Sequence, residues 1–331
     1  MSENRPVITV LRPSDPDAPH RTPAGLDALA DRAEIRFTDA EHLAEDLAGS
    51  DALFLWDFFS GAVQDAWAAA DRLRWIHVAA AGVDKLMFDD LRDSEVVVTN
   101  SQGVFDRPIA EWVLGAVLAQ AKDFAGNYRY KTTNTWQHRE TMRVQGTRAL
   151  VIGTGAIGRE ISQLFSAVGV EVTGAGRRQR QDDPDFGVVV LSEELEEHVG
   201  EFDIIVNAAP LTPATTGLIG PVTLAAVKPG AHLINIGRGA SVDEPALIEA
   251  LRDGPLGFAS LDVFAQEPLP ADSELWDLDN VMIAAHMSGD VYGWRDTLAE
   301  LFISNAERWL EGKELVNVVD KAKGYVPRPA A

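Results

Sequence analysis

A glycine triplet in the middle of the chain constrains its fold more than any other feature. Gly153, Gly155 and Gly158 form G-x-G-x-x-G directly after the apolar run 149–152 and at the head of an amphipathic stretch, 157–168. A strand that turns through such glycines into a helix opens a dinucleotide-binding βαβ unit. The first glycine permits the tight turn, the second lets backbone approach a pyrophosphate, and the third lets the helix pack on the sheet. The helix N-terminus then offers N–H groups and a partial positive charge to phosphate. Because Gly153 lies mid-chain in 331 residues, another domain must precede this one.

The preceding block reads as strands at 7–11, 34–37, 52–55, 75–78 and 96–99, separated by amphipathic segments at 24–30, 41–47 and 64–70. Strand–helix alternation implies a parallel sheet covered on both faces. An apolar helix follows at 109–123, with Pro108 at its start; its few charges predict burial between domains or subunits. A second alternating block has strands at 148–152, 171–174, 204–207, 231–236, 258–261 and 281–284. Helices are expected at 157–168, 192–199 and 244–251. A closing helix at 292–310 should cross back to the first domain, and the tail from Val318 reads as a loop or return strand. The expected fold is α/β: two doubly wound parallel-sheet domains, with a Rossmann domain (102–290) inserted in a substrate domain (1–101 plus 291–331).

Composition narrows the function classes. A net charge of −22 repels nucleic acid and anionic membranes. No apolar run approaches the roughly 18 residues of a membrane span, and Met1–Val10 lacks a signal pattern, so a cytoplasmic location is expected. The absence of cysteine excludes disulfides, thiolate nucleophiles and Cys-ligated zinc. The seven histidines form no ligand cluster, so no metal site is expected. Only seven of the 29 basic residues are Lys, a bias that fits either a GC-rich genome or adaptation to salt. In so acidic a chain, the positions of arginine matter.

Two sets of arginines stand out. An NAD site usually carries an acid at the end of its second strand, bonded to the ribose 2′-OH. Here Gly176 occupies that place, followed by Arg177 and Arg178 with Arg180 close by. Guanidinium forks match phosphate geometry, which favours a 2′-phosphate and hence NADP over NAD. The second set concerns chemistry at strand ends. Arg238 follows the strand at 231–236, Glu267 lies in the loop after 258–261, and His286 follows 281–284. Reduction of a 2-oxoacid needs a grip on its carboxylate, polarisation of its carbonyl and a proton donor that titrates near neutrality. Arg238 suits the first two tasks and His286 the third. Glu267 could orient the imidazole.

These residues sit in motifs that resemble the D-isomer-specific 2-hydroxyacid dehydrogenase family. The resemblance runs through Ala-Ala-Gly-Val-Asp (80–84), Asn-Ser-Gln-Gly-Val-Phe (100–105), the glycines 153–158 and Asn-Ala-Ala-Pro-Leu-Thr (207–212). It continues through Asn-Ile-Gly-Arg-Gly (235–239), Leu-Asp-Val-Phe-Ala-Gln-Glu-Pro (261–268) and Ala-His-Met-Ser-Gly (285–289), and so covers nearly the whole chain. It implies a flavodoxin-like substrate domain, a homodimer and catalysis by Arg238, Glu267 and His286. Ala81, Gly82 and Val83 resemble the loop whose backbone holds the substrate carboxylate, and Trp56 would line the side-chain pocket. Ala156 and Ile157 match the pyrophosphate turn. Ala209, Pro210 and Thr216 match the adenosine side. Asp262 resembles the nicotinamide-amide contact and Ile236 would lie beside the nicotinamide; Gly237, Arg238, His286 and Ser288 are further expected cofactor contacts.

The arginines after Gly176 place the chain nearest the NADP-using glyoxylate/hydroxypyruvate reductases. Glu267 stands where formate dehydrogenases of this superfamily have Gln, and argues against that chemistry. Trp136, Tyr292 and Trp294 could each line a pocket or simply pack. A nucleotide-sensing regulatory protein and a phosphite dehydrogenase remain alternatives on the same fold.

Overall fold

The computed structural model describes residues 5–327, in two compact units. One unit comprises the chain up to Phe105 and the stretch from Val291 onward; the other is Asp106–Asp290.

The first unit holds five parallel strands: β1 (Val7–Leu11), β2 (Glu34–Thr38), β3 (Ala52–Leu55), β4 (Trp75–Val78) and β5 (Val97–Thr99). Their order is β2-β1-β3-β4-β5. Strands β3 and β4 are buried throughout, as a parallel sheet covered on both faces requires. On one face Leu53, Leu55, Ile76 and Val78 join Leu43 and Leu47 in a continuous core. On the other face the alternate residues meet the helix Trp294–Leu310. The Phe302 ring stacks on Phe54 with centroids 3.8 Å apart and lies nearly parallel to Trp75 at 5.5 Å. That aromatic stack is why the chain must return to this sheet: without it a large apolar face would stay in water. The same face buries His77, whose Nδ1 lies 2.8 Å from Thr99 Oγ1; burial pushes its pKa down to about 3, so the ring is neutral. The tail does return as an edge partner, with Val319 N–H donating to Val98 O at 2.8 Å. Pro329, part of that expected tail, lies outside the described residues.

The second unit has eight strands: β6 (Arg148–Ile152), β7 (Glu171–Gly176), β8 (Arg180–Asp183), β9 (Gly187–Leu191), β10 (Ile204–Asn207), β11 (His232–Asn235), β12 (Phe258–Leu261) and β13 (Val281–Ile283). The order is β13-β12-β11-β10-β6-β7-β9-β8. All neighbours are parallel except β8 with β9. The direction of build-up reverses on either side of β6, which puts the topological switch point beside the glycine turn. The hairpin β8–β9 is absent from the sequence reading. Its first strand, Arg-Gln-Asp-Asp, carries no apolar alternation and forms only because it pairs with Val-rich β9 at the sheet edge.

The apolar helix is Asp106–Ala121 rather than 109–123, and within this unit it packs lengthwise on the helix Ala156–Ala167. Ile109, Ala110, Val113, Ala116, Val117 and Ala121 are its buried residues. Beyond it, Asp123 caps the helix Phe124–Thr132 by accepting from Gly126 N–H at 2.9 Å. Trp136 lies on the arm that follows and is 99% exposed. Among the described residues no helix is long and apolar enough to cross a membrane, and no group of side chains could hold a metal ion.

Candidate active site

The glycine turn is built by three different constraints. Gly153 has φ +100°, and a Cβ there would stand 2.6 Å from Ala208 O. A Cβ on Gly158 would stand 2.0 Å from Gly153 O. The protein itself therefore requires these two glycines. Gly155 is different: its Cβ would meet no protein atom within 4 Å. It caps the helix Ala156–Ala167 in extended conformation, ahead of the first-turn N–H groups of Ala156 and Ile157, which have no intrahelical acceptors. An open glycine before a free helix terminus is the cradle a pyrophosphate needs, so the turn fits a dinucleotide.

The second strand of the unit, β7, ends at Gly176, where an acidic side chain would have excluded a 2′-phosphate. Arg177 and Arg178 follow and are both exposed. Arg180 is engaged otherwise: its Nη2 donates to Thr154 Oγ1 at 2.8 Å and its Nε lies 3.1 Å from Asp183 Oδ2. On the other side of β6, the loops after β10 and β11 touch. A Cβ on Gly237 would lie 2.8 Å from Ala209 O, so glycine is needed there. Ala209 and Ile236 are buried, while Pro210 and Thr216 are exposed.

Arg238, Glu267 and His286 come together at the ends of β11, β12 and β13. The Arg238 backbone is held by a buried amide network that the sequence did not disclose. Asn207 Nδ2 donates to Asn235 Oδ1 at 2.9 Å and to Ser241 Oγ at 2.6 Å. Asn235 Nδ2 and Ser241 Oγ in turn donate to Arg238 O. Next to it, a Cβ on Gly239 would fall 1.8 Å from the Phe264 carbonyl carbon, so the loops of β11 and β12 lie in backbone contact. That contact brings Arg238 to the loop bearing Glu267.

Glu267 accepts from Phe264 N–H through Oε1 at 3.0 Å and binds His286 Nδ1 through Oε2 at 2.7 Å. Burial pushes this carboxyl upward. The bonds from His286 and Phe264 and the charges of His286 and Arg238 outweigh burial and hold it below its ordinary value. Glu267 is therefore an anion, and its bond at Nδ1 fixes the orientation of the imidazole. Both side chains keep about a third of their surface exposed.

His286 sits at φ +52°, which is strained for a residue with a Cβ. Asp262 holds it there. This buried carboxylate, at the end of β12, accepts from Met287 N–H at 2.8 Å and from Ser288 N–H at 3.1 Å. Asp262 is thus first of all the clamp of the histidine loop. A further contact with a nicotinamide amide would draw on what acceptor capacity remains.

The first unit carries its candidates separately. Ala81, Gly82 and Val83 form the loop after β4; Ala81 O accepts from Asn100 Nδ2 at 2.6 Å, and Val83 is 3% exposed. Trp56, after β3, is buried, with Nε1 donating to His20 O at 2.9 Å. It lines a cavity of about 110 Å³ with Phe58, Phe59 and Trp294. Trp294 is buried against Phe58 and Phe105, whereas Tyr292 is fully exposed.

Comparison with known proteins agrees with this geometry. The family model for the D-isomer specific 2-hydroxyacid dehydrogenase, NAD binding domain, matches residues 114–288. The chain is 31% identical to a hydroxyphenylpyruvate reductase of Plectranthus scutellarioides, over 78% of this chain and 82% of the relative. It is 30% identical to a glyoxylate reductase of Thermococcus gammatolerans, over 92% and 95% of the two chains. Among solved structures it resembles an NADPH-dependent glyoxylate/hydroxypyruvate reductase of Sinorhizobium meliloti, with a TM-score of 0.81, 25% identity and coverage of 97% and 100%. The chain therefore belongs to the D-isomer specific 2-hydroxyacid dehydrogenase family and is an oxidoreductase acting on a hydroxyl donor.

Proposed function

We propose that the protein is an NADP(H)-dependent reductase that interconverts a small 2-oxoacid and its D-2-hydroxyacid. The observation that carries this reading is the Glu267 Oε2–His286 Nδ1 contact of 2.7 Å, made next to Arg238 at the strand ends that also bear the glycine turn. Arg238 offers a fork of N–H donors to the carboxylate and keto oxygen of a 2-oxoacid, and its positive charge draws electrons away from C2. A nicotinamide dinucleotide held by the glycine turn 153–158 would supply the hydride for C2. Negative charge then builds on the former keto oxygen, and His286 delivers its Nε2 proton there. Glu267 stabilises the imidazolium before transfer and fixes which nitrogen faces the substrate. In the oxidative direction the same imidazole removes the hydroxyl proton. Ala81, Gly82, Val83 and Trp56 are proposed substrate contacts, and Gly153–Gly158, Ala209, Pro210, Thr216, Ile236, Gly237, Asp262 and Ser288 proposed cofactor contacts.

The choice of NADP rests on Gly176 followed by the exposed Arg177 and Arg178. A homodimer is supported by the exposed apolar side chains Phe124, Tyr128, Trp136 and Met142 on one stretch of the second unit. Light scattering should return twice the 35.9 kDa chain mass.

The test is NADPH and NADH oxidation, followed at 340 nm, with glyoxylate, hydroxypyruvate, pyruvate, 2-oxoisocaproate and phenylpyruvate. Turnover that prefers NADPH supports the reading, and the Arg177→Ala/Arg178→Ala variant should lose NADPH affinity selectively. No turnover by protein that binds NADPH would favour a nucleotide-sensing role. Oxidation of phosphite without reduction of glyoxylate would favour a phosphite dehydrogenase.

A further inference from the structure

The hairpin β8–β9 is tied to the phosphate-binding element at two points by one partly buried ionic cluster. At its centre is Asp183, whose side chain is 3% exposed. Arg159, in the first turn of the helix Ala156–Ala167, grips Asp183 with both nitrogens, at 2.8 Å and 3.0 Å, and also pairs with Asp185. Arg180 reaches Asp183 Oδ2 from the other side at 3.1 Å and donates to Thr154 Oγ1 at 2.8 Å. Thr154 stands between the first two glycines of the dinucleotide turn. One guanidinium thus spans from the hairpin to the pyrophosphate turn.

The segment held by this bridge is short. Only residues 177–179 connect the end of β7 to the start of β8. Their backbone is pinned at Gly176 by the sheet and at Arg180 by the cluster. Arg177 and Arg178 are exposed on this turn. An anion site made of two long, flexible side chains gains affinity when its backbone is fixed before the ligand arrives. The cluster also settles charge. Asp183 and Asp185 would repel a phosphate if left uncompensated. Burial pushes both carboxyls upward, but it is outweighed at Asp183 by Arg159 and Arg180 and at Asp185 by Arg159 and Gln163, so both stay ionised beside compensating arginines.

We propose that Arg180 is a positioning residue for cofactor selectivity: by bridging Thr154 and Asp183 it sets the 177–179 turn so that Arg177 and Arg178 form a ready 2′-phosphate site. The proposal rests on the reading of those two arginines as phosphate contacts. It separates the three neighbouring arginines into two that bind and one that builds.

Fluorescence titration of the full-length protein with NADPH and NADH tests it, on Arg180→Gln, Thr154→Val, the Arg177→Ala/Arg178→Ala variant, and the last combined with Arg180→Gln. Arg180→Gln should raise the Kd for NADPH about tenfold, the scale of one charge-assisted hydrogen bond, and that for NADH far less. Thr154→Val, which removes only the acceptor of the bridge, should shift the NADPH/NADH ratio in the same direction and keeps the test open if Arg180→Gln folds poorly. Added to the double arginine variant, Arg180→Gln should have no further effect on the ratio, because the groups it positions are gone. Additive effects would mean that Arg180 touches the phosphate itself, and equal losses for both cofactors would mean a merely structural role; either overturns the proposal. If the double arginine variant keeps the wild-type ratio, the 2′-phosphate reading falls and the proposal falls with it. If that ratio changes while Arg180→Gln and Thr154→Val leave it alone, only the positioning role is lost.

Discussion

Each unit buries one histidine with its pKa pushed down by burial to about 3, His77 in the first and His232 in the second. Each neutral ring has a hydroxyl partner: Thr99 Oγ1 lies 2.8 Å from His77 Nδ1, and Ser260 Oγ 2.9 Å from His232 Nε2. In the unfolded chain the same rings titrate near 6.5. Between about pH 6.5 and 3 the unfolded state therefore binds protons that the native state refuses, and stability falls as pH falls. From pH 7 to pH 5 the linkage relation gives a loss of about 2 kcal/mol per histidine. The size of this loss is insensitive to the folded pKa, because pH 5 is still well above it. For units of this size that is a drop in Tm of roughly 4–8 °C, from this cause alone. His42 acts in the opposite sense, its pKa raised by the hydrogen bond to Asp39, but it is fully exposed and common to every variant compared. Calorimetry at pH 7, 6 and 5 on the wild type, His77→Asn and His232→Gln gives the test. The replacements keep a hydrogen-bonding atom near Nδ1 and Nε2 respectively. Each variant should lose the acid-induced shift of its own unit. A variant that loses as much Tm as the wild type between pH 7 and 5 would refute the reasoning.

Four further outcomes are expected. Asp262→Ala leaves the Met287 and Ser288 N–H groups without their acceptor and frees His286 from its left-handed backbone; kcat/KM should fall at least tenfold, with stability lower by about 1–3 kcal/mol in urea unfolding. Gly239→Ala would force a Cβ into the Phe264 backbone, so both Tm and turnover should drop, and wild-type activity would show that the two loops can part. Arg238→Lys should raise KM for the oxoacid and lower kcat/KM, since an ammonium cannot make the planar fork; steady-state kinetics with the best substrate would reveal it. The depressed Glu267 carboxyl contributes fully above its ordinary value near 4.5 and loses its contribution as pH falls through the folded value, so the stability gap between wild type and Glu267→Gln should shrink as pH falls below about 4.5, which urea unfolding at pH 5, 4 and 3 would show.

The sequence by itself determined the glycine turn, the strand ends that bear Arg238, Glu267 and His286, and the return of the last helix. These are local matters: a turn needs its glycines within a few residues, and a parallel strand ends where its apolar run stops. It also placed the missing acid at Gly176. What only the tertiary structure decided is how those pieces are held. Asp262 meets Met287 and Ser288 across 25 and 26 residues, Arg159 meets Asp183 across 24, and Asn207 meets Ser241 across 34. Each such pair spans different elements of the Rossmann unit, and their spacing follows from sheet order and register, which no residue pattern encodes. The edge hairpin was hidden for the same reason. Polar Arg180–Asp183 is a strand only because β9 lies beside it, and with that pairing Arg180 comes to bridge Thr154 and Asp183.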